Sequence, residues 1–165
     1  MSRLHVHLHV RDLEQSIRFY TALFAVPPTR VEPGYAKWLL EDPRVNFALS
    51  TGGAHEGVGH LGIQVESEAE LAERSARARD AAGSILVERG AQCCYATGNK
   101  AWTEDPQGVK WETFHTTGTL AFAGEGADET FIERGSGTAI ADASCQCRGS
   151  DAKAEAPKAT AACCT

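Results

Sequence analysis

No apolar run in the 165-residue chain approaches the length of a membrane span, and the start, Met1-Ser2-Arg3-Leu4-His5, lacks the apolar core of a signal peptide. Positive charge is also short: 16 Lys and Arg against 22 Asp and Glu leave a net charge of -6, which argues against nucleic acid or an anionic membrane as partner. We therefore expect a cytoplasmic protein, monomer or homodimer, acting on a small molecule. The length suits one domain or a compact domain plus a tail. The six cysteines are not spaced as a disulfide framework. They fall as Cys93-Cys94, Cys145-x-Cys147 and Cys163-Cys164, and near neighbours close no long loop. In a reducing compartment such pairs point to metal, metalloid or redox chemistry.

Leu4 to Val10 alternates as a half-buried strand, with His5, His7 and His9 sharing one face. Asp12 is placed to cap a helix with Gln15 in the reciprocal position, and Leu13, Ile17, Tyr20 and Phe24 recur at helical spacing until Pro27-Pro28. Strand-like pieces follow at Tyr35 to Leu40 and Val45 to Ser50, joined by a Glu41-Asp42-Pro43 turn. The order then starts again. His5, Leu8, Val10, Asp12 and Gln15 are answered by His60, Ile63, Val65, Ser67 and Glu70 at one constant offset, the mark of an internal repeat. A second helix runs through Leu71 and Ala78 to Gly83. Strand-like segments lie around Ile85 to Val87, Ala91 to Ala96 and Lys100 to Thr103, and a second Glu104-Asp105-Pro106 turn leads into Val109 to Thr116. We read an α+β domain over residues 1–116, made of two βαβββ modules at about 1–53 and 57–116. From residue 117 to 165 Ala, Gly, Ser and Thr dominate, which predicts a mostly disordered, flexible tail with at most a weak helix near Asp128 to Arg134.

The repeat turns isolated histidines into a geometric argument. Equivalent positions of a duplicated unit lie opposite one another, so His5 and His60 are expected to face a common centre, with His7 and His9 as competitors on the same face. His55 and His115 have no such partner and are read as surface. Glu112 stands seven residues past Asp105, and the position seven past Asp42 is Leu49, which binds no metal. The set is then His5, His60 and Glu112 with open positions, an arrangement suited to non-haem Fe(II) and oxygen activation.

These residues carry a resemblance. The stretches H-V-H-L-H-V-R-D-L-E-Q-S-I-R-F-Y, H-L-G-I-Q-V-E-S and D-P-Q-G-V-K-W-E resemble the vicinal oxygen chelate superfamily, the glyoxalase, bleomycin-resistance and extradiol-dioxygenase group. The resemblance implies paired βαβββ modules around a metal cavity, with ligands at His5, His60 and Glu112. Glyoxalases of the group carry a fourth ligand where this chain is expected to have Leu49, which counts against that chemistry.

In a regular strand Cys93 and Cys94 point to opposite faces, but the following Gly98-Asn99 predicts a turn or mobile loop over residues 94–100 where both sulfurs can converge and which can close over the cavity. Arg89 and Lys100 nearby favour thiolate. The segment E-R-G-A-Q-C-C-Y-A-T-G-N-K resembles the carbon-arsenic lyases of the same superfamily and the related cadmium-induced proteins. What this implies is an Fe(II)-dependent dioxygenase, with dioxygen as co-substrate, that converts trivalent organoarsenicals to arsenite. Cys93 and Cys94 would bind the arsenic of methylarsenite or a trivalent aromatic arsenical, and His5, His60 and Glu112 would hold the iron as catalytic centre. A non-catalytic arsenic- or cadmium-sequestering protein and a thiol-transferase or antibiotic-resistance enzyme on the same fold are the alternatives. Cys145, Cys147, Cys163 and Cys164 are read as incidental or as a tethered scavenger of arsenical.

Overall fold

In the computed structural model, which describes residues 1–124 and 126–135, the first half runs β1 (Arg3–His9), α1 (Leu13–Phe24), β2 (Arg30–Glu32), β3 (Tyr35–Glu41) and β4 (Arg44–Ser50). The second repeats that order as β5 (Gly57–Val65), α2 (Glu68–Ala82), β6 (Ser84–Cys93), β7 (Ala96–Glu104) and β8 (Lys110–Thr119), and β9 (Glu129–Arg134) follows. The α+β class and the paired modules are as the sequence predicts. Each helix starts where its cap predicts: Asp12 Oδ1 accepts the Gln15 N–H at 2.9 Å, and Ser67 Oγ accepts the Glu70 N–H at 3.2 Å. α1 ends at Ala25, in left-handed conformation ahead of Pro27-Pro28, and α2 ends at Gly83.

The inward stripe of α1, Leu13, Ile17, Tyr20 and Phe24, packs on Trp38, Leu40, Phe47 and Leu49 from β3 and β4. Tyr20 and Phe47 lie 4.6 Å apart between ring centroids. Trp38 and Leu49 are fully buried, so trimming Trp38 to alanine removes aromatic packing worth about 3–5 kcal/mol. α2 sends Leu71 inward in the same way.

The strands form one sheet in the order β2-β3-β4-β1-β5-β8-β7-β6-β9. β1 runs parallel to β4, β5 runs parallel to β8, and β1 pairs antiparallel with β5, so the two modules meet within one chain. The ladder carries the repeat. His5 pairs with Gly62 and His7 with His60, and the offset that takes His5 to His60 takes His7 to Gly62, so each pair is the pseudo-twofold image of the other. The edge of β2 and the β6–β7 turn also meet, closing the concave face at one end: Tyr35 of β3 packs against Tyr95, with centroids 5.8 Å apart.

Three expectations are corrected. Residues 129–134 form a strand, not a weak helix, and β8 extends to Thr119, past the expected start of the tail. The reason is β6, whose outer edge offers unpaired backbone groups that Glu129 to Arg134 satisfy in antiparallel register, with β-favouring Thr130, Phe131 and Ile132 at the middle. Residues 94–100 are not a loop, since β7 begins at Ala96. Gly98 marks an irregularity in the β7–β8 ladder rather than a turn, and Asn99 Oδ1 accepts the Gly90 N–H at 2.9 Å. Besides β9, the strand missed from the sequence is β2, too short for its periodicity to register. Cys145, Cys147, Cys163 and Cys164 lie outside the described residues. Among the described residues no helix is long and apolar enough to cross a membrane.

Candidate functional site

The side chains that alternate onto the concave face of β1, β5 and β8 converge on one point. His5 Nε2 and His60 Nε2 are 3.2 Å apart, and Glu112 Oε2 is 3.7 Å from the first and 3.4 Å from the second. The close approach of β8 to β5 that brings Glu112 here requires Gly62, where a Cβ would collide with the Glu112 carbonyl. All three atoms can reach one ion. Bonds of about 2.1 Å place neighbouring ligand atoms roughly 3.0 Å apart at right angles and about 3.4 Å apart in a tetrahedron.

The surrounding hydrogen bonds prepare these atoms. His5 Nδ1 donates to the Asn46 carbonyl at 3.0 Å, which leaves the Nε2 lone pair free to bind an ion. Burial lowers the His5 pKa, so the ring is neutral at neutral pH. Glu112 is 4 % exposed, and burial works against its charge. The His60 contact and Lys100, whose Nζ donates to Glu112 Oε1 at 2.6 Å, outweigh that and hold the carboxyl down at about 2. His7 is neutral as well, pushed down to about 3 by burial. Ligand atoms of His5, His7 and His60 lie within 4.8 Å of one another, so His7 is a rival third ligand. Its Nε2, however, is 2.9 Å from Ser50 Oγ, which also lies 3.0 Å from His9 Nδ1.

The position opposite Glu112 is Ala48 and not Leu49. Gly62 pairs with Glu112, and its repeat equivalent His7 pairs with Ala48. From the shared Asp-Pro to the matching position runs seven residues in the second half, Asp105 to Glu112, and six in the first, Asp42 to Ala48, and a slip of one residue moves a side chain to the other face. Leu49 accordingly points into the core under α1, and Ala48 faces the cavity.

Cys93 and Cys94 line the same cavity, of about 290 Å³, as His5, His60 and Glu112. Their sulfurs are 3.0 Å apart. They converge because Cys94 and Tyr95 are the two central residues of the β6–β7 turn, closed by the Cys93–Ala96 pair, and both have positive φ, 54° and 65°. That is the type I′ pattern, which favours Asn and Gly. For residues with a Cβ it costs on the order of 1–2 kcal/mol each. The bond from Cys94, helped by Lys100, outweighs burial and pushes the Cys93 thiol down to about 6, while Cys94 is pushed up. The pair therefore holds one proton between two sulfurs at neutral pH. Arg89, expected near the thiols, instead lies over the Phe131 ring at 5.5 Å.

His115, expected at the surface, contributes to the cavity lining, and its Nδ1 is 2.8 Å from Glu68 Oε1. His55 is exposed as expected. The sequence reading missed the ion pair of Lys100 with Glu112. The signal was present: Trp102 pairs with Glu112 on neighbouring strands, which sets Lys100 diagonal to it on the same face.

The chain is similar to several known proteins. A 35% identical relative from Thermomonospora curvata, named trivalent organoarsenical cleaving enzyme, matches over 88% of this chain and 99% of its own length. A protein of the same name from Bacillus sp. strain MD1 is 45% identical over 73% of this chain and 76% of its own. In fold the chain is similar to an extradiol ring-cleaving dioxygenase from B. fuscum, at 18% identity and a TM-score of 0.54, over 72% of this chain and 33% of that one. Residues 3–113 match the model of the Glyoxalase/Bleomycin resistance protein/Dioxygenase superfamily, and the chain belongs to that family.

Proposed function

We propose that this chain is a non-haem Fe(II)-dependent dioxygenase that cleaves the carbon-arsenic bond of trivalent organoarsenicals, releasing arsenite. The observation that carries this reading is that one cavity brings together a thiol pair 3.0 Å apart and the triangle of His5, His60 and Glu112. The names of the relatives support it. Two nitrogens and one carboxylate oxygen on one side of the site suit Fe(II) with open positions.

Cys93 and Cys94 bind the arsenic. A hydrated arsenical, R–As(OH)2, exchanges two arsenic–oxygen bonds for two arsenic–sulfur bonds. The Cys93 thiolate displaces one hydroxide, and the Cys94 proton leaves with the other oxygen as water. His5, His60 and Glu112 hold the iron, whose chemistry when bound is to let dioxygen react with an otherwise inert carbon-arsenic bond. Lys100 fixes the Glu112 carboxylate so that Oε2 faces the histidines. Tyr35, with Tyr95 packed against it, walls the cavity beside the thiols and excludes water.

The test is release of arsenite from methylarsenite by purified protein, with and without Fe(II) and dioxygen. We expect many turnovers per chain only when both are present. Iron-loaded protein that forms no arsenite in air would refute the proposal, and uptake that stops at one equivalent per site would mark a sequestrant.

A further inference from the structure

The thiol turn is held from the other half of the molecule. Cys94 and Tyr95 occupy the left-handed region without being glycine, so the turn has no intrinsic reason to keep the shape that brings the sulfurs together. Arg30, on β2 of the first half, reaches it from across the closed end of the sheet. Its Nη1 donates to the Tyr95 carbonyl at 3.4 Å and its Nη2 to the Leu120 carbonyl at 2.9 Å. Its guanidinium carbon sits 4.7 Å from the Tyr95 ring centroid, and Glu32 Oε1 pairs with the same fork at 2.9 Å. The backbone of Tyr95 is further bonded to residues after β8: its N–H donates to the Ala123 carbonyl at 3.3 Å, and its carbonyl accepts the Leu120 N–H at 2.9 Å. Arg30 therefore ties the turn and the segment at Leu120 to each other and to the first module.

We propose that Arg30 is a positioning residue for the thiol pair, clamping the Tyr95 peptide and ring so that Cys94 stays at positive φ and its sulfur stays beside that of Cys93. The inference rests on the reading of Cys93 and Cys94 as the arsenic site. Without the clamp the turn relaxes toward negative φ, the sulfurs separate, and an arsenical meets one thiolate at a time. Arginine suits this role because its planar fork serves two carbonyls while its face covers an aromatic ring.

The test measures binding of phenylarsine oxide to the full-length chain by titration calorimetry, with Cys145, Cys147, Cys163 and Cys164 changed to serine so that only the turn thiols report. The parent protein against Cys93→Ser, Cys94→Ser comes first. If these two bind alike, the arsenic-site reading fails, and this inference with it. Given a difference, Arg30→Gln and Arg30→Lys should each bind at least about tenfold more weakly, because the second thiolate no longer acts intramolecularly. Fe(II) binding should stay unchanged. Adding Tyr95→Gly to either variant should recover part of the lost affinity, since glycine holds positive φ unaided. Binding within about twofold of the parent in both Arg30 variants overturns the proposal while leaving the arsenic site intact. Parallel loss of arsenical and Fe(II) binding with no recovery by glycine also overturns it, as a general loss of fold. Where Arg30→Gln does not fold, the lysine variant, alone and with Tyr95→Gly, carries the same comparison.

Discussion

The hairpin β2–β3 turns at Pro33-Gly34, and its counterpart in the second half, β6–β7, turns at Cys94-Tyr95. In the first, proline supplies the negative φ and Gly34 the positive one, φ 76°, so the residues favour the turn. In the second, neither residue suits its backbone, and the hairpin arms are longer, so that its tip reaches across to the first module. The same contrast appears at the centre of the sheet, where Ala48 and Glu112 occupy matching register positions. His5 and His60, by contrast, are the same residue at the same place. The duplication thus supplies a symmetric scaffold and a symmetric histidine pair. The chemistry enters where the second half departs from the first.

The largest effect should come from erasing the departure at the centre. Glu112→Ala gives the second half the residue of the first and leaves two histidines. Fe(II) affinity should fall by more than about a hundredfold, beyond what loss of a supporting contact does. Equilibrium dialysis measures this, and near-normal Fe(II) retention would instead favour His7 as third ligand. Next in size is the thiol pair. With the tail cysteines replaced, Cys93→Ser or Cys94→Ser alone should weaken phenylarsine oxide binding by about a hundredfold through loss of the second, intramolecular bond. Fe(II) binding should persist, which separates the two sites. The reverse exchange, Ala48→Glu, puts a carboxylate where the first half has none. It should keep Fe(II) bound but lower aerobic turnover by at least about tenfold, because it fills a position the reaction needs open.

Acidification probes the same asymmetry more gently. The Cys93 thiol is depressed to about 6 by the bond from Cys94, so its thiolate is present at neutral pH and is lost as pH falls through that value. The rate of arsenical binding, which needs the attacking thiolate, should be nearly flat from pH 8 to 7 and then fall toward about tenfold per pH unit below 6, as that sulfur takes up a proton. Stopped-flow mixing with phenylarsine oxide at stepped pH reads this, and a break near the ordinary thiol value would show that the two sulfurs do not share a proton.

How much of this was legible in the sequence follows the same division. The duplicated part could be read, because the constant offset between His5 and His60 is the offset that relates the two pairs of the β1–β5 ladder. The asymmetric part was read less well. Equal counting from the two Glu-Asp-Pro turns puts Leu49 opposite Glu112, but the matching position lies six residues past Asp42 and seven past Asp105, and in a sheet that one-residue error exchanges core for cavity. The convergence of Cys93 and Cys94 was expected, but in a glycine-containing loop. It is achieved in a turn with no glycine, a conformation set by partners such as Arg30 that lie far away in sequence. β9 was missed for a similar reason: a short polar segment becomes a strand when an open edge is there to receive it.

The smallest effects should lie at the helix starts, where the halves agree in one bond and differ in another. Asp12→Ala and Ser67→Ala each remove one side-chain acceptor from an N-terminal N–H, of Gln15 and of Glu70 respectively, and each should lower unfolding free energy by about 1 kcal/mol in urea titrations. The residues three positions on are not alike. Glu70 Oε2 accepts the Glu66 N–H at 3.2 Å, and Oε1 takes the Arg74 guanidinium at 3.3 Å. Among the described residues Gln15 shows no such return bond. Gln15→Ala should therefore leave stability unchanged within error, and Glu70→Ala should lower it measurably. Equal losses at both would mean that the two caps work alike in solution, and that the asymmetry of the halves is confined to the cavity.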